Sequence, residues 1–197
     1  LDYELVTYSR DPETMRSPPE LGEVHPSKKS PIIEDDGRIV LESGAIVEYL
    51  TQVKAGGRLA HGPDSPDYVD YLQWLHFTEG SLMSPLVYNL IAAAMGCDNE
   101  GLQAFTDGEI ATLLDHADTH LRAHEYLVGN EFSAADVHIS FPLEFAQAQG
   151  ILKAYPALQT YLQRLQDRPA YQRARDKGGN YDLSMFNVEA MKGAMGG

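Results

Sequence analysis

The sequence predicts two domains of different class, a small α/β (α+β) domain and an all-helical (all-α) one after it. Three observations predict this. Asp36-Gly37 stands between the apolar runs "PIIED" and "RIVLE". A stretch rich in glycine and proline, "KAGGRLAHGPDSPD", then interrupts the pattern. Beyond it, every periodic segment repeats at helical spacing.

Each element follows from its own residues. "YELVTYS", 3–9, is rich in Tyr, Val and Thr and reads as a strand. Residues 10–30, with Pro18, Pro19 and Gly22, read as a loop holding one short helix. Asp-Gly between apolar runs predicts a two-residue hairpin, because a type I′ turn needs positive φ at both central positions. "SGAIVEYLTQV" places Ile46, Val47, Leu50 and Val53 on one helical face. A strand, a hairpin and one helix leave an open sheet edge, so one more strand–helix unit before Leu1 is expected to complete a two-layer domain. The predicted boundaries are 1–54 for the α/β domain, 55–66 for the linker and 67–197 for the helical domain.

In the helical part, "DYVDYLQWLHFTEGSLMSPLVYNLIAAAM" predicts a long helix with a bend at Gly80 or Pro85. "EGLQAFTDGEIATLLDHADTHLRAHEYL" predicts a second, and "SAADVHISFPLEFAQAQG" a third that ends at Gly150. "YPALQTYLQRLQDRPAYQRARDKGG" predicts two short helices parted at Arg168-Pro169. "FSAADV" fits a capping box, with Ser133 as cap, Asp136 three residues on and Phe132 able to pack on Val137. It is folding information, not chemistry. The tail, "NYDLSMFNVEAMKGAMGG", has little pattern and is expected to pack loosely or fray.

Charge and composition exclude several functions. Lys plus Arg is 15 against 29 for Asp plus Glu, a net charge of -14. A nucleic-acid or anionic-membrane partner would need a basic face, so neither is expected. Lys28-Lys29 is a local basic spot. Cys97 is the single cysteine, so no disulfide, CxxC pair or cysteine zinc site forms within the chain. No apolar run of about 18 residues marks a membrane span. A soluble protein of a reducing compartment, the cytoplasm, fits.

Several residues have two readings. Pro31 is either a strand-start proline, which donates nothing to a ladder, or a cis-proline that turns the backbone of Ser30 outward to pair with an extended peptide. Ser43 is either a plain N-cap or part of an anion site at a helix N-terminus, where Glu42 beside it could accept from an ammonium. Together, Glu42 and Ser43 suit an α-amino-acid head group. His116, His120 and His124, spaced i, i+4, i+8, read as a solvated face rather than a metal site, since no HExxH-like context accompanies them. Cys97, with no basic neighbour, reads as structural. No GxSxG, Walker or GxGxxG pattern is present.

"HPSKKSPIIEDDGRIVLESGAIVEYL", "WLHFTEGSLMSPLV" and "FSAADVHIS", in this order, resemble the glutathione transferase superfamily, in its bacterial and fungal cytosolic form. The first looks like the second half of a thioredoxin-like domain, and the other two like helices of the family's helical domain. The resemblance implies that Pro31 is the cis-proline and that the Ser30 backbone pairs with the cysteinyl part of glutathione. It implies that Glu42 and Ser43 hold the γ-glutamyl group and that Lys29 lies near the glycyl carboxylate. Two departures from the family pattern, Lys28 for the usual Gly and Ser30 for the usual Val, remove no backbone contact. The family's catalytic Ser, Tyr or Cys is expected N-terminal to Leu1. Tyr3 and Tyr8 fall on what aligns with the second strand, and no catalytic residue is assigned.

By the same resemblance, the protein is a detoxifying transferase that uses glutathione as co-substrate, without a metal, against a small hydrophobic electrophile. Phe77, Gly80, Ser81 and Ser84 share one face of the long helix and are the candidate electrophile pocket, placed between the domains, with core packing as the other reading of Phe77. A homodimer is implied. Glu79 aligns with an acidic residue that reaches the γ-glutamyl ammonium across the interface in several family classes; its other reading is a solvated carboxylate. The alternatives are a non-catalytic binding or scaffold protein of the same fold and a glutathione-dependent disulfide reductase.

Overall fold

The computed structural model describes residues 1–11, 16–179 and 183. The chain forms two compact units, Leu1–Arg58 and Leu59–Gly197. The expected behaviour of the tail falls outside the described residues.

The first unit is built around a hairpin. A single turn of helix, α1 (Leu21–Val24), follows Pro18-Pro19 and buries Leu21. β1 (Ile33–Asp35) and β2 (Arg38–Val40) pair antiparallel in the register Ile33↔Val40, Glu34↔Ile39, Asp35↔Arg38. Asp36 and Gly37 take φ of 50° and 79°, the mirror-image turn that the Asp-Gly pair predicts. Residues 3–9 do not form the expected strand. Among the described residues the sheet consists of β1 and β2 alone, and Tyr3, Leu5, Val6 and Tyr8 are exposed. Alternation marks a segment able to pair, but a strand also needs a neighbour that supplies its ladder bonds.

α2 (Ser43–Glu48) runs on into a π-helical turn, Tyr49–Lys54. The wider i→i+5 turn rotates the chain out of the 3.6-residue register. Ile46 is therefore buried as expected, whereas Val53, nominally on the same face, is 63% exposed. The π turn is tied back to the hairpin through Asp35, which accepts from the Tyr49 hydroxyl and from Lys54 Nζ at 2.9 Å. The Lys54 bond, then the Tyr49 one, holds this carboxyl below the usual range.

The second unit is helical throughout. The long predicted helix is divided into α3 (Tyr68–Phe77), a π segment (Thr78–Met83) that carries Gly80, and α4 (Ser84–Ala94) with Pro85 in its first turn. Proline there loses no intrahelical bond. α5 (Glu100–Ala123) begins at Asn99, whose side chain accepts from the Leu102 N–H at 2.9 Å. α6 (Ala134–Ala148), α7 (Pro156–Gln166) and α8 (Pro169–Gly178) follow, with a 3₁₀ turn at Ile151–Ala154. α6 is the central helix: it packs on α3, the π segment, α4, the 3₁₀ turn and α7, and Ile139, Leu143, Phe145 and Ala146 on it are buried, as are Leu75, Leu82, Leu86, Leu158 and Leu162 on those neighbours.

Two buried carboxylates replace the backbone partners that helix ends lack. The predicted capping box forms, with the Ser133 N–H donating to Asp136 at 2.7 Å. Asp136 also accepts from the Ser133 hydroxyl at 3.1 Å, the Leu127 N–H at 3.0 Å and the Tyr161 hydroxyl at 2.6 Å. Burial, then this carboxylate, raises the Tyr161 phenol well above its ordinary range. Phe132 meets Tyr126 and the Arg168 guanidinium, while its expected partner Val137 remains 46% exposed. Asp118, which no sequence pattern singles out, accepts from the Ala157 and Leu158 N–H groups at 3.0 and 3.1 Å and so caps α7.

Removing the Asp136 carboxylate leaves buried donors from three segments without an acceptor. Asp136→Ala is expected to cost about 3 kcal/mol or more of unfolding free energy. Urea titration followed by circular dichroism measures it, and a loss below about 1 kcal/mol would contradict the role.

Candidate functional site

In the first unit, the site residues sit at the open end of the hairpin. The segment ahead of β1 is tightly turned. The Lys28 N–H donates to the His25 carbonyl at 3.0 Å, and the Ser17 hydroxyl to the Lys28 carbonyl at 2.7 Å. Lys28 has φ of 53°, and its stem passes Gly22 so closely that a Cβ there would meet Lys28 Cε at 2.8 Å. Lys29 and Ser30 follow on the exposed surface, and the Ser30-Pro31 peptide bond is cis.

Beyond β2 the chain turns sharply. Glu42 has φ of 67° and ψ of 122°, a conformation that a residue with a Cβ seldom adopts. Its carbonyl accepts from the Ile46 N–H at 2.8 Å, so the bend starts α2 at Ser43. The ladder ends at the Ile33↔Val40 pair, so Ser30-Pro31 leads into the open end of the hairpin and Glu42-Ser43 leads out of it. Four of the six residues expected to hold glutathione thus flank one end of one hairpin, and Lys29 is adjacent in the chain. Backbone strain at such a place is a common mark of a binding site. The sequence shows Glu42 but not its φ.

In the second unit, Glu79 lies in the π segment with its side chain 48% exposed, and its Oε1 is 3.7 Å from Nε2 of the buried His138 on α6. His138 Nδ1 is 3.2 Å from the Leu75 carbonyl. Phe77 is half-buried, edge-on to Trp74 with ring centroids 5.3 Å apart. Ser81 is half-buried, and Gly80 and Ser84 are exposed.

Of the histidine ladder, His116 and His124 are exposed, as a solvated face requires, and His120 is half-buried. Trp74 of α3 lies against it, stacked on His116 with ring centroids 5.1 Å apart and tilted against His120 at 4.8 Å, and His120 stacks on His124 at 4.2 Å. Periodicity showed the three histidines on one side of α5, but not that α3 packs a ring against that side. Cys97 is exposed rather than packed, because α4 ends at a left-handed Gly96 and carries the thiol into a surface loop. Among the described residues, no group of three or more His, Cys, Asp or Glu side chains is placed to hold a metal. Nor is any helix there long and apolar enough to cross a membrane.

Residues 1–52 match the family model for the glutathione S-transferase N-terminal domain, and residues 98–169 match that for its C-terminal domain. A relative, glutathione S-transferase 3 of Schizosaccharomyces pombe, is 30% identical over 94% of this chain and 81% of its own length. The chain belongs to the glutathione S-transferase superfamily. A solved glutathione S-transferase from Actinobacillus pleuropneumoniae is 29% identical with a TM-score of 0.80, over 93% of this chain and 85% of that one. It accords with the glutathione S-transferase fold, a thioredoxin-like first domain and a helical second one. Elongation factor 1-gamma of Prunus avium is 26% identical over 87% of this chain but only 40% of its own length.

Burial, and then the neighbouring His124, lowers the His120 pKa from 6.5. The unfolded chain therefore takes up this proton first as pH falls. The stability from the neutral folded ring is complete above pH 6.5 and is lost as pH drops through the lower folded value. The urea midpoint is expected to fall between about pH 7.5 and 5.5, and to fall less in His120→Gln. Equal falls in both proteins would rule this out.

Proposed function

We propose that this chain is a glutathione transferase that binds glutathione through Lys29, Ser30, Pro31, Glu42 and Ser43 and joins it through its thiolate to a small hydrophobic electrophile. The observation that supports the reading is the cis Ser30-Pro31 bond on one side of the hairpin's open end and the positive-φ bend at Glu42 on the other. The Ser30 N–H and C=O pair with the cysteinyl backbone as an added strand would. Glu42 accepts from the γ-glutamyl ammonium, and the Ser43 hydroxyl donates to its carboxylate. Lys29 serves the glycyl carboxylate.

The chemical step is nucleophilic. The thiol loses its proton, the thiolate forms a bond to an electrophilic carbon, and the electron pair leaves with a departing group or moves into a conjugated acceptor. Phe77, Gly80, Ser81 and Ser84 face the electrophile. In this reading residues 1–54 hold glutathione, 55–66 link, 67–197 form the helical domain, and the protein works as a cytoplasmic homodimer in detoxification. Glu79 of one subunit adds a second carboxylate to the ammonium bound by its partner, since an ammonium is costly to desolvate without an anion nearby.

The likeness to elongation factor 1-gamma supports a second reading, a binding or scaffold protein that does not turn over. A panel of electrophiles separates the two, because both bind glutathione but only the transferase conjugates it.

Replacing Glu42 and Ser43 together with Ala is expected to weaken glutathione binding at least roughly tenfold, since each loses a bond to a charged group. Calorimetry on the full chain reads this, and unchanged affinity would sink the site. For Glu79→Gln, severalfold weaker binding is expected while sedimentation still gives a dimer at micromolar concentration. A protein monomeric under those conditions, or a Gln variant of normal affinity, would remove Glu79 from the scheme.

A further inference from the structure

A cleft of about 650 Å³ opens within the helical unit between α3, the second half of α5 and the turn at Gly129-Asn130. Its size is that of a small-molecule site, roughly 300–1,000 Å³. Five rings form an unbroken wall, in the order Phe77, His116, Trp74, His120, His124, with successive centroids 5.7, 5.1, 4.8 and 4.2 Å apart. His116 and His124 expose their rings to the opening.

Two rings of the wall are held by the backbone. His120 Nε2 lies 3.1 Å from the Leu127 carbonyl, and His124 Nδ1 lies 2.9 Å from the His120 carbonyl. A carbonyl only accepts, so each of these nitrogens donates a hydrogen to it. Among the described residues that line the cleft, Asp67 and Asp70 at its rim carry the fixed charge and none is a lysine or arginine. Asp67 is half-buried, its carboxylate lying over the bare Cα of Gly129, where a Cβ would come within 2.9 Å of Oδ2. Gly129 has φ of 55°, so the turn that forms this end of the cleft favours glycine on two counts.

A wall of rings with two carboxylates at its rim selects by shape and by charge. Rings stack on rings, and a positive charge gains from both the π faces and the anions. An anion gains neither, and glutathione is an anion. From this juxtaposition we infer that the cleft is a binding site for small planar aromatic cations, rings that carry a protonated amine or a protonated ring nitrogen. The site needs no glutathione and shares only Phe77 with the proposed electrophile face.

Trp74 is the only tryptophan in the chain and stands in the wall, so its fluorescence reports occupancy directly. The probes are 9-aminoacridine, a planar cation, and 2-naphthalenesulfonate, an anion of comparable shape. Titration with the cation is expected to quench Trp74 saturably at one per chain, and titration with the anion is not. Replacing Asp67 and Asp70 with Asn keeps the side-chain shapes and is expected to weaken the cation roughly tenfold with circular dichroism unchanged. The Glu42→Ala, Ser43→Ala protein is expected to bind the cation as the parent does, which separates this site from the glutathione reading. Quenching that does not saturate, equal affinity for the anion, or full affinity in the Asn variant would each overturn the proposal. Loss of cation binding on replacing Glu42 and Ser43 would overturn its independence.

Discussion

Hydrogens from the Ser133 backbone and hydroxyl, the Leu127 N–H and the Tyr161 hydroxyl converge on the carboxylate of Asp136, which is fully buried. A buried carboxylate is costly to desolvate, and four donors offset that cost only if the segments that carry them are all in place. The start of α6, the turn after α5 and α7 are thereby locked to a common point. The consequence reaches further than α6. Leu127, held through its N–H, presents its carbonyl to His120, and His120 in turn packs tilted against Trp74 and stacks on His124. One capping interaction thus sets the geometry of the ring-lined cleft. Asp118 does similar work for α7, and Leu59 for α6, where its carbonyl accepts from the Ala134 N–H at 2.7 Å.

The first unit depends on a smaller device of the same kind. A hairpin with three-residue strands has few ladder bonds, and isolated two-stranded hairpins are marginal in water. Asp35, at the end of β1, accepts from Tyr49 and Lys54 and so fastens the π turn that continues α2 to the hairpin. The chain segments that enter and leave the open end, 30–31 and 42–43, thus belong to a hairpin that is fastened to the π turn at its other end. The positive φ of Glu42 is held between β2 on one side and α2 on the other.

The division between these two kinds of order explains what was legible beforehand. Features set by a few neighbouring residues were readable. Asp36-Gly37 fixes its own turn because of φ alone, Ser133 and Asp136 satisfy each other across three residues, and the apolar periodicity of the helical part predicts its helices. The ordered set of motifs from His25 to Leu50, 74–87 and 132–140 was enough to indicate the glutathione transferase family, because it combines several local geometries in one succession. In the candidate site, the order of Ser30-Pro31 ahead of β1 and Glu42-Ser43 after β2 was readable from the turn between the strands, whereas the positive φ of Glu42 was not.

By itself, then, the sequence determined the fold class, the hairpin and its turn, the helices with their break near Gly80, and the family. The tertiary structure alone decided which patterned segments found partners. Residues 3–9 have the alternation of a strand and no ladder, Val53 has a core position in the periodicity and an exposed one in the π turn, and the three histidines have a helical stripe that became an aromatic wall only when α3 laid Trp74 against it. Asp118 is an ordinary acidic residue of α5 until the start of α7 arrives 39 residues later. In each case the deciding contact is remote in the chain, and local spacing carries no information about which surface will come to meet it.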